Sequence, residues 1–200
     1  MKFNQTRPFI LASGSPRRKE YFERYGFDFT IQTADIAEIP KKDELPLDFA
    51  CRMAIEKGKT VLATLPDEDQ SLVFSADTIV LLEGEIIGKP SGPEAVLPML
   101  QKLQGKKHQV IAAYSIAGKG SQHLRSETTD VTFYTPDPSF LEAYAKTTEP
   151  LDKAGSYSIQ GAGSFLVESI QGSYNNVVGL PMERLLQDLF HLGFITPFAE

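Results

Sequence analysis

Two rhythms of apolar and polar positions run along this chain, and the changes between them mark its elements. Phe9 to Ala12 is a short apolar run before a glycine turn, so a strand and loop lead into a helix. Ser15 suits the N-cap of that helix, Pro16 its first position, and Gly26 its end. FDFTIQT then alternates Phe27, Phe29 and Ile31 with Asp28, Thr30 and Gln32, the period of a half-buried strand. The polar stretch DIAEIPKKDELP reads as a loop. From Leu47 to about Ala63 the period becomes helical, with Leu47, Ala50, Cys51, Ala54, Val61 and Leu62 on one face.

LVFSADTIVLL is rich in β-branched and apolar residues, and the Gly84 turn before EIIGKP predicts a hairpin. EAVLPMLQKLQG is expected to be helical, with Pro98 kinking it or delaying its start. HQVIAAYSIAG and SETTDVTFY predict two strands joined by a glycine-containing turn, and SFLEAYAK a short helix. Between Glu149 and Pro181, Gly155, Gly161, Gly163, Gly172 and Gly179 predict turns and short strands with close backbone approaches. PMERLLQDLFHLGF closes the chain as an amphipathic helix. Strands and helices are mixed without a linker or fixed repeat, so the expectation is one α/β domain around one sheet. The hairpins argue against a purely parallel sheet.

Bulk properties narrow the function. Two hundred residues can bury a substantial core, and 42% hydrophobic with 23% charged residues suits a globular protein. With 26 acidic against 20 basic residues the net charge is −6, which argues against a nucleic-acid binder and confines any anion site to a local patch. A single cysteine, Cys51, excludes an internal disulfide framework and a multi-cysteine metal site. FILA is too short for a signal-peptide core, and no apolar stretch approaches the ~20 residues that span a bilayer. A cytoplasmic protein without a membrane partner is expected.

Four sets of charged residues lie where packing alone would not place them. SPRR puts Arg17 and Arg18 in the first turn of a helix, where the partial positive charge of the exposed N–H groups favours acidic residues. Two solvated arginines are the plain alternative; a bound phosphate is the functional one, since helix N–H groups and guanidinium groups both bind its oxygens. Asp77 is a carboxylate inside an apolar strand, held either by backbone N–H groups at a strand break or for use as a metal ligand or base. Glu38 lies in a polar loop, and gains interest only if it faces Asp77 to complete a Mg²⁺ site. Lys57, at the margin of the second helix's apolar face, could reach to water, and Lys89 of GKP is exposed by default. The small residues around Lys57, and Gly88 and Pro90 beside Lys89, instead suggest aimed ammonium groups. His108, His123 and His191 are scattered, Cys51 reads as a core residue, and neither a nucleophile elbow nor a P-loop is present.

LASGSPRR, SADTIV, GKP and EPLDKAGSYSIQGAGSFLVESIQGSYNNVVGLP, in that order, closely resemble the Maf family of nucleoside triphosphate pyrophosphatases from about Phe9 to the final helix. The resemblance implies an α/β fold related to the inosine-triphosphate pyrophosphatases. Its mixed central sheet would have flanking helices, with two lobes around a nucleotide cleft in one Maf-like domain spanning 1–200, often as a homodimer. It implies hydrolysis of a nucleoside triphosphate between the α and β phosphates, with a divalent cation, Mg²⁺ or Mn²⁺. By matching motif, Asp77 is the catalytic residue and, with Glu38, holds the metal, while Ser13, Arg17, Arg18, Lys57 and Lys89 bind substrate. Arg17, Thr78 and Gln160 match the specificity positions of the branch acting on dTTP and UTP. The Gln160 carboxamide can pair with the N3–H and O4 edge of uracil or thymine, but a flipped amide would serve cytosine unless its surroundings fix it. Gly58, where the family commonly has Ala, and Pro98 depart from the pattern. A nucleotide-binding regulator of cell division, and a pyrophosphatase for a modified purine such as 7-methyl-GTP, are the alternative readings.

Overall fold

The computed structural model describes residues 3–66 and 68–197. Its elements are β1 (Phe3–Gln5), β2 (Phe9–Leu11), α1 (Pro16–Arg24), β3 (Phe29–Ile31), α2 (Pro46–Leu62), β4 (Leu72–Leu82), β5 (Glu85–Ile87), α3 (Pro93–Leu103), β6 (Lys107–Gly118), β7 (Ser121–Phe133), α4 (Pro138–Ala145), β8 (Val167–Gln171), α5 (Tyr174–Val178), α6 (Met182–His191) and β9 (Ile195–Pro197). Among the described residues one sheet has the order β3-β2-β4-β6-β7-β8, with β5 paired to β4. Strand β2 is parallel to β3 and β4, whereas β5 and β8 run antiparallel to β4 and β7. The mixed α/β class read from the sequence holds. The β4–β5 turn has positive φ at both Glu83 and Gly84, the backbone that tight two-residue hairpins require.

The chain divides into two compact units. One comprises residues 1–77, 113–126 and 179–200, the other 78–112 and 127–178. The division falls between Asp77 and Thr78, inside β4. The first unit is centred on Phe9, Phe22, Phe27 and Phe74, whose rings lie 4.6–5.4 Å apart in tilted or edge-on contacts. Its last helix, α6, is fixed through buried Asp188, which accepts from Tyr114 on β6 and pairs with His123 and Arg125 on β7.

The second unit buries Val80, Leu100, Leu103, Phe133, Leu141 and Leu166 together. Helix α3 begins at Pro93 and continues through Pro98, contrary to a delayed start. An interior proline costs about 3 kcal/mol, but burial of Val96, Leu100 and Leu103 at about 1.5–3 kcal/mol each outweighs it. Two other expectations change, and one strand pair has no counterpart in the sequence reading. Strand β3 is shorter than FDFTIQT: Phe27 enters the aromatic cluster ahead of it, while Ile31, on this edge strand, is 46% exposed. Strand β7 starts at Ser121 rather than Ser126; the stretch SQHLR has a single apolar residue, the exposed Leu124, and so lacks the alternation that would reveal it. The terminal strands β1 and β9, paired Phe3 to Pro197, are too short for any period to show.

Candidate active site

Helix α1 starts as its sequence predicts but is not capped as expected. Ser15 occupies the N-cap position with extended backbone, yet its side chain makes no cap hydrogen bond, and no acidic residue lies in the first turn. Instead the Ser15 N–H donates to Ser13 Oγ at 3.2 Å. Arg18 turns inward: Nη1 donates to Ser13 Oγ at 3.2 Å and to the Ala76 carbonyl at 2.7 Å, and Nε donates to the Gly179 carbonyl at 3.1 Å. Burial lowers its pKa to about 10, with nearby Asp77 opposing the shift, so it stays charged at neutral pH. Arg17 differs. Its Nε is buried with no hydrogen-bond partner among the described residues, a costly state for a cationic donor that a ligand oxygen would relieve.

Strand β4 and helix α2 bring the next three residues together. Lys57 Nζ lies 2.7 Å from Asp77 Oδ1 and 2.8 Å from Glu38 Oε1. The Asp77 and Lys57 side chains are only 7% and 12% exposed, whereas that of Glu38 is 49% exposed. The carboxylates therefore face a common point, now filled by an ammonium group. Asp77 and Glu38 fit a small divalent cation at that point, because Mg²⁺ binds through one or two carboxylates and completes its shell with phosphate and water oxygens. Among the described residues no group of three or more His, Cys, Asp or Glu side chains forms an all-protein cage.

A residue not singled out from the sequence fixes the loop that presents Glu38. Arg52 on α2 binds Glu44 in a fork, Nε to Oε1 at 2.6 Å and Nη2 to Oε2 at 2.7 Å. Nη2 also donates to the Ile39 carbonyl at 3.0 Å, next to Glu38, and the Lys41 N–H donates to Glu44 at 2.8 Å. The Arg52 hydrogen bonds hold the Glu44 carboxyl down at about 2. No periodic signal separates Arg52 from a solvated helical arginine; its only hint was an acid eight residues earlier.

The remaining candidates lie in the second unit. Lys89 is exposed in the loop after β5, Thr78 is half-buried on β4, and Gln160 is exposed in the irregular stretch before the 3-10 turn Ala162–Leu166. The GKP and DKAG motifs are joined by a hydrogen bond from the Gly155 N–H to the Gly88 carbonyl at 3.0 Å. Gly155 has φ 72°, and a Cβ there would stand 3.1 Å from Val80 Cγ2, so both conformation and space call for glycine. The histidines take other roles. His108 contacts the Tyr157 hydroxyl, with burial lowering its pKa to about 4, and His123 pairs with Asp188.

The family model described as Maf-like protein matches residues 8–192. A dTTP/UTP pyrophosphatase from Desulfotalea psychrophila is 41% identical, over 95% of this chain and 97% of its own length. Proteins of the same name from Bacillus cereus and Shewanella oneidensis are each 43% identical, over 92% and 93% of this chain and 94% and 98% of theirs. Among solved structures, the Ham1 protein of Staphylococcus aureus superposes with a TM-score of 0.54 at 15% identity, covering 94% of this chain and all of that one. That likeness establishes a shared fold.

Proposed function

Because this chain belongs to the Maf-like protein family, we propose that it hydrolyses dTTP and UTP between the α and β phosphates, releasing the nucleoside monophosphate and pyrophosphate. The whole chain, 1–200, would act as one Maf-like domain in the cytoplasm. The observation that carries this reading is the meeting of Asp77 and Glu38 at Lys57 Nζ. A divalent cation, Mg²⁺ or Mn²⁺, held by these two carboxylates would neutralise charge on the phosphates and orient them. Asp77 accepts the proton of the attacking water. Lys57, displaced from the carboxylates, turns its ammonium to a phosphate oxygen. Arg17 Nε finds its missing acceptor there, and the uncapped start of α1 adds N–H groups of the same sign. Arg18 and Ser13 brace one another while Arg18 supplies charge, and Lys89 supports the departing pyrophosphate. Arg17, Thr78 and Gln160 select the base.

The test is pyrophosphate release with Mg²⁺ by the wild type and Asp77→Asn across canonical and modified nucleoside triphosphates. Selective turnover of dTTP and UTP is expected, falling about 10³-fold in the variant. Binding without turnover by the wild type would replace the enzyme with a nucleotide-binding regulator, and preference for 7-methyl-GTP would replace its substrate.

A further inference from the structure

The DKAG and SYSIQGAG segments contain a fastening that the reaction itself does not use. Tyr144, buried on α4, donates its hydroxyl proton to Glu149 Oε1 at 2.8 Å, and the Tyr144 hydroxyl oxygen accepts the Ser158 N–H at 3.2 Å. Glu149 then accepts two backbone N–H groups, from Ala162 to Oε2 and from Gly163 to Oε1, both at 3.0 Å. The chain is therefore held at Ser158 on one side and at Ala162 and Gly163 on the other. Only Ile159, Gln160 and Gly161 lie between the two anchors, with Gln160 exposed.

The fit around this pair is close. A Cβ on Gly161 would lie 2.1 Å from Glu149 Oε2, and one on Gly163 would lie 2.5 Å from the Tyr144 hydroxyl. Lys153 Nζ donates to the Glu149 carbonyl at 2.7 Å, fixing the 3-10 turn Glu149–Asp152 from which the carboxylate extends. Burial disfavours the Glu149 charge, yet the Gly163 N–H, the Tyr144 hydroxyl and the Ala162 N–H together hold its carboxyl below the ordinary range.

We propose that Tyr144 and Glu149 are positioning residues for base selection, pinning both ends of the segment that presents the Gln160 amide. The proposal rests on the reading of Gln160 as a contact to the base. An amide can serve the uracil edge in one orientation and the cytosine edge in the other, so discrimination requires a backbone that does not let it re-aim. Two anchors separated by three residues supply that restraint, and loss of either gives the amide room to accept the wrong edge.

The experiment compares kcat and KM for dTTP and dCTP in full-length wild type, Tyr144→Phe, Glu149→Gln, Gln160→Ala and the Tyr144→Phe/Gln160→Ala double variant. Tyr144→Phe keeps the packed ring and removes only the hydroxyl, so it serves where Glu149→Gln does not fold. Each single variant is expected to lower the dTTP-over-dCTP ratio of kcat/KM about tenfold, with the change on KM rather than kcat. The double variant should fall no further than Gln160→Ala alone. Faster amide exchange at Ser158, Ala162 and Gly163 in Tyr144→Phe should accompany the loss. An unchanged ratio in Tyr144→Phe, with a lowered one in Gln160→Ala, would overturn the positioning role and leave the base contact standing. An unchanged ratio in Gln160→Ala would overturn the base contact and the positioning role with it. Additive losses in the double variant would place the effect of Tyr144 elsewhere.

Discussion

The loop that carries Glu38 and the segment that carries Gln160 are both irregular, yet opposite means hold them. The first is tied chiefly by an ion pair between side chains, Arg52 to Glu44, with further bonds from Arg52 to the Ile39 carbonyl and from the Lys41 N–H to Glu44. The second is tied by two side chains that bind backbone N–H groups, with glycines where a Cβ would collide. The ion pair depends on charge and on the planar fork of a guanidinium group. The backbone tie depends on shape. Substitutions at the two places should therefore fail in different ways.

The largest effect is expected in the first region. Arg52→Ala frees the loop that brings Glu38 to Lys57, and misplacement of a reacting group by about 1 Å can cost about 100-fold in rate. A fall of about 10- to 100-fold in kcat/KM for dTTP is expected, with a higher Mg²⁺ concentration for half-maximal activity. Arg52→Lys should rescue little, because a point charge cannot reproduce the fork. Full activity in Arg52→Ala would mean that Glu38 needs no fixed loop, and the contrast between the regions would lose its functional side.

Shape should dominate the second region. Gly163→Ala places a methyl group 2.5 Å from the Tyr144 hydroxyl and 3.0 Å from the Ser158 backbone nitrogen, so ring and chain must both move. A loss of about 1–3 kcal/mol is expected in denaturant unfolding, the range for overpacking. Gly161→Ala meets the Glu149 carboxylate, the end of a side chain that can swing aside at the expense of its hydrogen bonds. It should therefore alter base discrimination more than stability. Equal stability losses at the two glycines would break this distinction.

Charge should show itself in the first region through pH. The folded pKa of Glu44 lies near 2, against an ordinary 4.5, so the ion pair's contribution is complete above about 4.5 and is lost as pH falls toward 2. Thermal unfolding of wild type and Glu44→Gln should differ at pH 7 and converge across that window. A difference that persists at pH 2 would show that Glu44 acts through packing rather than charge.

The elements that frame both regions were legible wherever a period ran long enough. Helices α1 and α2 and the β4–β5 hairpin lie close to where their apolar spacing and turn residues put them. Arg17, Asp77 and Lys57 stood out because charge at a helix start, in an apolar strand or on an apolar helical margin violates a local rule. Arg52, Tyr144 and Glu149 violate none. An arginine on a helix, a tyrosine in a core and a glutamate at a turn each look ordinary, and their roles exist only through partners brought near by folding. The pairing of Asp77 and Glu38 also differs in kind from the expectation, since the two carboxylates meet through Lys57. Spacing could suggest that they face each other, but not that an ammonium group sits between them.

The smallest effect belongs to Gly58. Inside α2 a glycine is less favourable than alanine by about 1 kcal/mol, so Gly58→Ala should stabilise the helix itself. Its Cβ, however, would stand 2.7 Å from Ser75 Oγ, a buried hydroxyl that donates to the Ala54 carbonyl at 2.6 Å. Here the obstacle is the end of one short side chain, whereas at Gly163 it includes backbone. The hydroxyl can rotate away but then loses its acceptor, which offsets the helical gain. Gly58→Ala alone is therefore expected to change stability by less than about 1 kcal/mol. Combining it with Ser75→Ala removes the overlap, so the pair should be more stable than the sum of the single changes by about 0.5–1 kcal/mol. Strict additivity in denaturant unfolding would mean that the hydroxyl does not oppose the methyl group, leaving Gly58 without a packing reason.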